Sequence, residues 1–408
     1  MIDRQQAEQL AEVWARRDSQ RLGHECRPTL DEFDLGYVIR STVDRAVDTN
    51  PGDLPTTVVD KQTGEVTTWP RVPAAVVQQM YRRSRPTGTP APRTVDPASL
   101  LLREIRRLPT PAAVAHLTVE GRTYVGHGVK GDVPPLRHHP LVRAYLDELP
   151  AGHLVRGGDR HAELVVVSDV LHEYDHRRAA AGLPPLTMRE AESLLTATGI
   201  DVFLVREPGD PDAGPAERPC DSCLNFLVHF AVVGWSELAF TRQWRPDRQA
   251  VPEVGRFPPE VADALVSAGW RPGLGDDGLA EEAIAEAREI SHRHPDLTSA
   301  LDALTRFPGL VSGRRGPGRE VWISRFSVDP VHAAYTADTL ADFGAVLGVR
   351  LFPIGAGHPD AILAVDDRGR VFALDQAGEW FLGDDIDAAL TTLLLGLAPP
   401  RVRDDGTW

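Results

Sequence analysis

The chain has 408 residues, of which 42% are hydrophobic and 25% are charged, and its formal net charge is −15. At roughly 100–200 residues per domain this length predicts two to four domains, and the composition excludes a fibrous or wholly disordered chain. No apolar run approaches the ~20 residues of a membrane helix, and residues 1–6 lack the apolar core of a signal peptide, so we expect a cytoplasmic protein without a membrane partner.

The acidic residues are concentrated in the last third of the chain. The formal net charge is −1 over residues 1–97, −3 over 98–250 and −11 over 251–408. A negative surface repels phosphate backbones, so the last third is a poor candidate for binding nucleic acid and a better one for binding a basic protein. The middle third is close to neutral, which leaves nucleotides open as its ligands.

The first block of predicted elements is a small α+β domain over residues 1–84. Apolar spacing and β-propensity predict, in order, a helix at 5–16, a strand at 33–39, a hairpin of 56–60 with 65–69, and a helix at 72–83. A stretch rich in proline and arginine follows, and we interpret residues 85–97 as a linker.

The second block, residues 98–250, alternates strands and helices and therefore predicts α/β layers. The expected elements are a helix at 97–108, a hairpin of 113–119 with 122–127, helices at 141–149, 161–180 and 187–198, a strand at 200–205, and a helix from 219 towards 230. The hairpin is expected to turn at Glu120 and Gly121.

The third block, residues 251–408, predicts another small α+β domain. Its expected helices lie at 258–268, 281–304 and 384–395, and its expected strands at 320–327, 349–354, 361–365, 370–374 and 379–382. Gly269 is placed to end the first of these helices. The chain shows no tandem repeat at a fixed period, which argues against solenoids and propellers.

Two short motifs lie at the predicted starts of helices in the second block. Residues 161–163 read His-Ala-Glu and residues 219–223 read Pro-Cys-Asp-Ser-Cys, and this order is the signature of zinc-dependent deaminases. Two thiolates and one imidazole supply three ligands to a tetrahedral ion and leave a fourth position for water, as in catalytic zinc sites. Three cysteines are too few for a disulfide framework, which fits a reducing compartment, and Cys26, outside both motifs, is expected at a core position.

The motifs assign a role to each residue. His161, Cys220 and Cys223 are the predicted metal ligands. The two cysteines are three residues apart in a first helical turn, where the helix dipole lowers the pKa of a thiol. Glu163 is the predicted proton shuttle between water, the ring nitrogen of the substrate and the departing ammonia.

Each motif is ambiguous when taken alone. A lone C-x-x-C also occurs in redox couples and structural zinc corners, and His-x-Glu carries little information without a partner. Their order, with a hairpin before the first motif and a helix and a strand between the two, favours a deaminase-type site.

The residues from about 114 to 234, through this hairpin and both motifs, resemble the YwqJ-like branch of the cytidine-deaminase-like superfamily. The resemblance implies a three-layer α/β/α sandwich, zinc held by His161, Cys220 and Cys223, and a link to bacterial toxin systems. His127, Arg160 and Ser222 are candidate substrate contacts. A surface turn is the favoured explanation of His127, and a structural ion pair would explain Arg160 at least as well.

The flanking blocks resemble immunity proteins. Residues 257–270, 351–355 and 378–383, with the closing Leu-rich helix, are similar to the SUKH superfamily, whose members bind and neutralise toxins. An acidic face on such a domain suits a basic toxin. Residues 1–84 resemble the YrhB-type domain through the stretches 33–37 and 59–65. The predicted fold is therefore a deaminase sandwich flanked by two smaller α+β domains.

These observations predict a zinc-dependent hydrolytic deaminase of a cytosine or adenine moiety, in a nucleotide or in single-stranded nucleic acid. A second hypothesis is a polyvalent immunity protein that binds toxins and carries an idle deaminase fold. A secreted toxin fits less well, because the deaminase segment lies in the middle of the chain.

Overall fold

The computed structural model describes residues 2–22, 25–43, 56–84, 110–130, 136–234 and 255–408, except positions 63, 65, 70–72, 197, 208, 272, 274, 359 and 360. The predicted linker at 85–97, the predicted helix at 97–108 and the predicted domain boundary at 250 lie outside the described residues. We refer to residues 2–84 as the N-terminal segment, 110–234 as the middle segment and 255–408 as the C-terminal segment.

The N-terminal segment is a four-stranded antiparallel sheet with a helix on each face. Its strands pair in chain order, and its elements are α1 (Arg4–Leu22), β1 (Cys26–Glu32), β2 (Gly36–Val43), β3 (Thr56–Asp60), β4 (Val66–Trp69) and α2 (Ala74–Ser84). Alternate residues of β2 face opposite sides, because Tyr37 and Ile39 pack in one apolar cluster with α1 and Val38 packs in another with α2.

One predicted strand in this segment begins too early. Residues 33–35 form the turn between β1 and β2, closed by a hydrogen bond from the Phe33 N–H to the Gly36 carbonyl at 2.9 Å. The alternation of apolar residues continues through the turn, which is why the sequence pattern does not mark it. The predicted hairpin of 56–60 with 65–69 is confirmed by the pairing of β3 with β4.

The middle segment has a four-stranded antiparallel sheet in the order β6-β5-β7-β8. Its strands are β5 (Ala112–Val119), β6 (Arg122–His127), β7 (Gly199–Val205) and β8 (Gly214–Pro215), and its helices are α3 (Pro140–Glu148), α4 (Ala162–Ala180), α5 (Met188–Leu195) and α6 (Asp221–His229). Glu120 and Gly121 both have positive φ, at 49° and 78°, so the predicted turn of the β5–β6 hairpin is confirmed.

Helix α4 packs directly on this hairpin. A side chain at Gly126 would place its Cβ 2.7 Å from both the Ala162 carbonyl oxygen and the Val166 amide nitrogen. The absence of a side chain there lets the first turn of α4 approach β6 closely. This contact fixes the position of the residues at the start of α4.

The C-terminal segment is a six-stranded antiparallel sheet in the order β14-β13-β12-β11-β10-β9, covered by helices on both faces. The strands are β9 (Leu310–Ser312), β10 (Phe326–Val328), β11 (Leu351–Gly357), β12 (Ala361–Asp366), β13 (Val371–Asp375) and β14 (Gly378–Gly383). The helices are α7 (Pro259–Ser267), α8 (Asp277–Ile290), α9 (Thr298–Arg306), α10 (Ala337–Leu347) and α11 (Ile386–Leu395). In β12, Ile362 and Ala364 pack in one core, and Leu363 and Val365 pack in the other.

Three sequence predictions in this segment are corrected by the structure. The predicted strand at 320–327 forms a strand only from Phe326 onwards. The predicted helix at 281–304 is two helices, α8 and α9, separated by residues 291–297, where Pro295 cannot donate a helical hydrogen bond. Helix α10 is absent from the prediction, although Gly348 ends it in a left-handed conformation with φ 65°.

The mixed α/β architecture expected from the sequence is confirmed. Within the described ranges, no helix is long and apolar enough to cross a membrane.

Candidate metal centre

The starts of α4 and α6 bring His161, Cys220 and Cys223 together. His161 is the N-cap of α4 and Cys220 is the N-cap of α6, both with extended backbone. The Nδ1 atom of His161 lies 3.5 Å from the Cys220 sulfur and 3.3 Å from the Cys223 sulfur. All three ligand atoms lie within 4.8 Å of one another, and all three residues are buried.

This geometry fits a tetrahedral zinc ion. Zn–S bonds of about 2.3 Å and Zn–N bonds of about 2.0–2.1 Å place a nitrogen and a sulfur ligand roughly 3.6 Å apart across a tetrahedral angle. The two nitrogen–sulfur distances, 3.5 and 3.3 Å, are close to that separation. The donor set of two thiols and one imidazole is also one that zinc prefers.

The cysteine pair differs in one respect from the sequence prediction. Cys220 precedes the helix and acts as its N-cap, since its sulfur accepts a hydrogen bond from the Cys223 N–H at 3.4 Å. Sulfur here replaces the oxygen that Ser, Thr, Asp or Asn supplies at other N-caps. The sequence offered Pro219 as the helix start and gave no sign of a sulfur cap.

The two thiols have opposite acidities. The pKa of Cys220 is well below its usual range, because the Cys223 thiol donates a hydrogen bond to its sulfur and His161 lies beside it. Burial holds the pKa of Cys223 well above its usual range. A metal ion binds both residues as thiolates, so metal binding releases the protons that the two thiols hold.

Glu163 lies beside the three ligands in the first turn of α4. Its side chain is 1% exposed, and burial, reinforced by Cys220, raises the pKa of its carboxyl to about 7. The carboxyl interacts with the Cys223 thiol, whereas its Oε2 atom is buried and accepts no hydrogen bond from the described residues. A buried oxygen in that condition requires a polar partner, which a water molecule or a substrate would supply.

The three predicted substrate contacts occupy different environments. Ser222 is 2% exposed and accepts a hydrogen bond from the Val155 N–H at 3.3 Å, so it supports the loop before α4. Arg160 is 8% exposed in a short 3₁₀ helix, Gly158–Arg160. His127 ends β6, opposite Val114. Their role in substrate binding remains a prediction.

A cavity of about 60 Å³ adjoins the ligands and lies between the middle and C-terminal segments. His161, Cys220 and Arg156 line it on one side. Trp322 and His358 are among the residues of the C-terminal segment that line the other. The sequence does not predict that the C-terminal segment lines this cavity, because residues more than 100 positions apart carry no local signal of their contact.

Comparison with protein families gives one match for each segment. Residues 96–232 match the YwqJ-like deaminase model, residues 257–396 match the SUKH-3 immunity protein model, and residues 5–89 match the immunity protein 35-like domain. The expected deaminase and SUKH resemblances are confirmed, and so is the immunity character of the N-terminal segment, under the name immunity protein 35-like instead of YrhB-type. No curated protein and no solved structure matches the chain significantly.

These matches place a deaminase-type segment between two immunity-type segments, which indicates a toxin or immunity context. The deaminase match covers both motifs of the candidate centre. The cluster of His161, Cys220 and Cys223 is thus a candidate metal site in a segment of deaminase type.

Proposed function

We propose that the chain is a zinc-dependent hydrolytic deaminase that acts on a cytosine or adenine moiety within a bacterial toxin–immunity or defence system. The observation that carries this proposal is the convergence of His161, Cys220 and Cys223 with Glu163 beside them. His161, Cys220 and Cys223 would hold the zinc ion, and Glu163 would move protons. A cytoplasmic location belongs to the proposal, because both thiols must stay reduced to bind a metal.

The reaction exchanges an amino group for a carbonyl oxygen. When bound, zinc supplies the Lewis acidity that lowers the pKa of water into the neutral range. Glu163 Oε2 takes one proton from the attacking water and gives it to the ring nitrogen next to the reacting carbon. It then carries the second proton to the amino group, so that the carbon–nitrogen bond breaks and ammonia leaves.

The substrate is a free nucleotide or a short single strand. Residues 98–250 have a net charge of −3, which does not favour the many phosphate contacts of a duplex binder. A base must also leave its stack to reach a buried centre, and a nucleotide or a single strand meets that requirement at low cost.

A second candidate function is that of a polyvalent immunity protein. The matches of residues 5–89 and 257–396 to immunity families favour it, because such domains act by binding toxins. The charge of −11 over residues 251–408 suits a basic toxin. A pull-down with the full chain that recovers a stoichiometric basic protein would support this function, and activity without any partner would count against it.

The test of the enzyme function compares wild type with Glu163→Gln. Both proteins are expressed in cells, and both the nucleotide pool and the sequenced nucleic acids are examined for deaminated bases, with ammonia release measured on the purified proteins. Glu163→Gln should hold zinc like wild type and lose roughly 10²–10⁴-fold in turnover. Glu192→Gln, on α5, is the matched control and should turn over like wild type. Equal turnover in Glu163→Gln and wild type would overturn the role of Glu163.

A further inference from the structure

The C-terminal segment packs against the face of the middle segment that carries the candidate metal ligands. Two backbone hydrogen bonds join Gly152 to the C-terminal segment. The Gly152 N–H donates to the Glu320 carbonyl at 3.0 Å, and the Gly152 carbonyl accepts from the Gly318 N–H at 3.3 Å. The Trp322 N–H donates to the Leu154 carbonyl at 2.8 Å. Residues 318–322 thus bond to the loop that precedes the 3₁₀ helix and His161.

The turn between β13 and β14 reaches the start of α4. Gln376, which is 2% exposed, accepts a hydrogen bond at its Oε1 atom from the Ala162 N–H at 3.3 Å. A side chain at Gly128 would place its Cβ 2.8 Å from the same Gln376 oxygen. A Cβ at Gly157 would lie 2.5 Å from the Ala377 Cβ. Because Gly128 and Gly157 have no side chains, the turn at Gln376 can pack closely against the middle segment. It does so next to Ala162, the residue that follows His161.

Buried polar contacts hold the two segments together on either side of that turn. Arg156 forms an ion pair with Asp375 at 2.9 Å, with side chains 16% and 7% exposed. Farther away, Glu207 accepts hydrogen bonds from the Thr339 N–H at 2.6 Å and the Asp338 N–H at 3.2 Å, so it caps the first turn of α10 from the middle segment. Charged groups that are buried and paired in this way are costly to separate from their partners.

The cavity that His161 and Cys220 line is small. The cavity of about 60 Å³ is far below the ~300–1,000 Å³ of pockets that bind drug-sized ligands. A volume of that size has room for a few water molecules. Most of the residues that line it belong to the C-terminal segment, so displacement of that segment would enlarge the cavity.

We propose that the C-terminal segment is an intramolecular inhibitor of the deaminase centre, which closes the centre to substrate by seating residues 318–322 and the turn at Gln376 over it. The proposal rests on the function proposed above. A nucleobase reaches His161, Cys220 and Glu163 only after the two segments separate. The immunity-type segment thereby restrains a deaminase-type segment of its own chain.

The experiment weakens the interface at two separate places in the full chain. Glu207→Lys puts a cation at the first turn of α10, and its matched control is Glu192→Lys on α5 of the middle segment. Gln376→Lys puts a cation against the first turn of α4. Its control is Leu279→Lys, at a side chain 54% exposed on α8. Cations are unfavourable at helix N-termini.

Two readouts separate this proposal from the deaminase function. The first is the rate at which N-ethylmaleimide labels Cys220 in the metal-free protein, followed by peptide mass spectrometry. The second is ammonia release from a panel of nucleosides and nucleotides by the zinc-loaded protein. Glu207→Lys and Gln376→Lys should each raise both rates by at least about tenfold over wild type, and neither control should change them.

The outcomes are distinct. Faster labelling of Cys220 without ammonia release from any variant would uphold closure and overturn the deaminase function. Labelling at the wild-type rate in Glu207→Lys and Gln376→Lys, both shown by thermal unfolding to be folded, would overturn closure. Loss of ammonia release with unchanged labelling would also overturn it, because the C-terminal segment would then help to bind substrate.

Discussion

The Oε1 atom of Gln376 accepts a hydrogen bond from the backbone N–H of Ala162 at 3.3 Å. Ala162 lies between His161 and Glu163, so a residue of the C-terminal segment bonds to the backbone between a candidate ligand and the candidate proton shuttle. The first amides of a helix have no partner within the helix. Gln376 supplies one across the boundary between the segments, so the C-terminal segment contacts the backbone between the candidate ligand and the candidate proton shuttle.

Substitution of Gly126 should move α4 and weaken the fold. A Cβ at this position would lie 2.7 Å from the Ala162 carbonyl oxygen, so Gly126→Ala should destabilise the protein by about 1–3 kcal/mol. Gly199→Ala is the control, because a Cβ there meets nothing within 4 Å. Circular dichroism monitors the urea unfolding of the two variants. Equal urea midpoints of unfolding would contradict the close packing of α4 on β6.

Stability should decrease as the pH falls below about 6.5, in part because of His172. Burial, together with the neighbouring His139, lowers the pKa of His172 to about 4, although the Arg137 carbonyl and Asp175 oppose this shift. The pKa is lower in the folded state than in the unfolded state, so the contribution to stability is present above pH 6.5 and is lost as the pH falls towards 4.

His172→Gln tests this pH dependence. Glutamine can still donate to the Arg137 carbonyl, which lies 3.2 Å from the His172 Nε2 atom, but it does not titrate. Thermal unfolding midpoints measured between pH 8 and pH 4.5 should fall less steeply in the variant than in wild type. Parallel curves would show that His172 does not carry the effect.

Asp366 should be necessary for the C-terminal segment, whereas its neighbour Asp367 should not. The Asp366 side chain is fully buried and accepts hydrogen bonds from the Arg368 and Arg370 N–H groups as well as from the Arg370 guanidinium. Asp366→Ala leaves that guanidinium unpaired and should cost about 3–5 kcal/mol. Asp367→Ala, at an exposed position, should change the free energy of unfolding by less than about 0.5 kcal/mol. Chemical denaturation of both variants checks the difference.

The sequence predicts those features that depend on local chemistry. The turn at Glu120 and Gly121 follows from the ease with which glycine adopts positive φ, and the end of α7 follows from Gly269, whose φ is 90°. The meeting of His161 with Cys220 and Cys223 was also predictable, because tetrahedral coordination imposes a recurring pattern of residue types at helix starts.

The sequence fails where distant parts of the chain decide the outcome. Residues 320–325 have the composition of a strand, yet Glu320 and Trp322 bond to Gly152 and Leu154 of the middle segment instead. Tertiary contacts override β-propensity at such positions. The contact of Gln376 with Ala162 joins residues 214 positions apart, and no periodicity or motif marks it.

The zinc content of the purified full chain tests the metal centre at His161, Cys220 and Cys223 most directly. Elemental mass spectrometry measures it in wild type, Cys223→Ser and Cys26→Ser. Cys26 is a buried cysteine of the N-terminal segment and makes the matched control. We expect about one zinc ion per chain in wild type and in Cys26→Ser, and a large loss in Cys223→Ser. No zinc in the wild-type protein, or the same zinc content in all three, would contradict a metal centre at His161, Cys220 and Cys223.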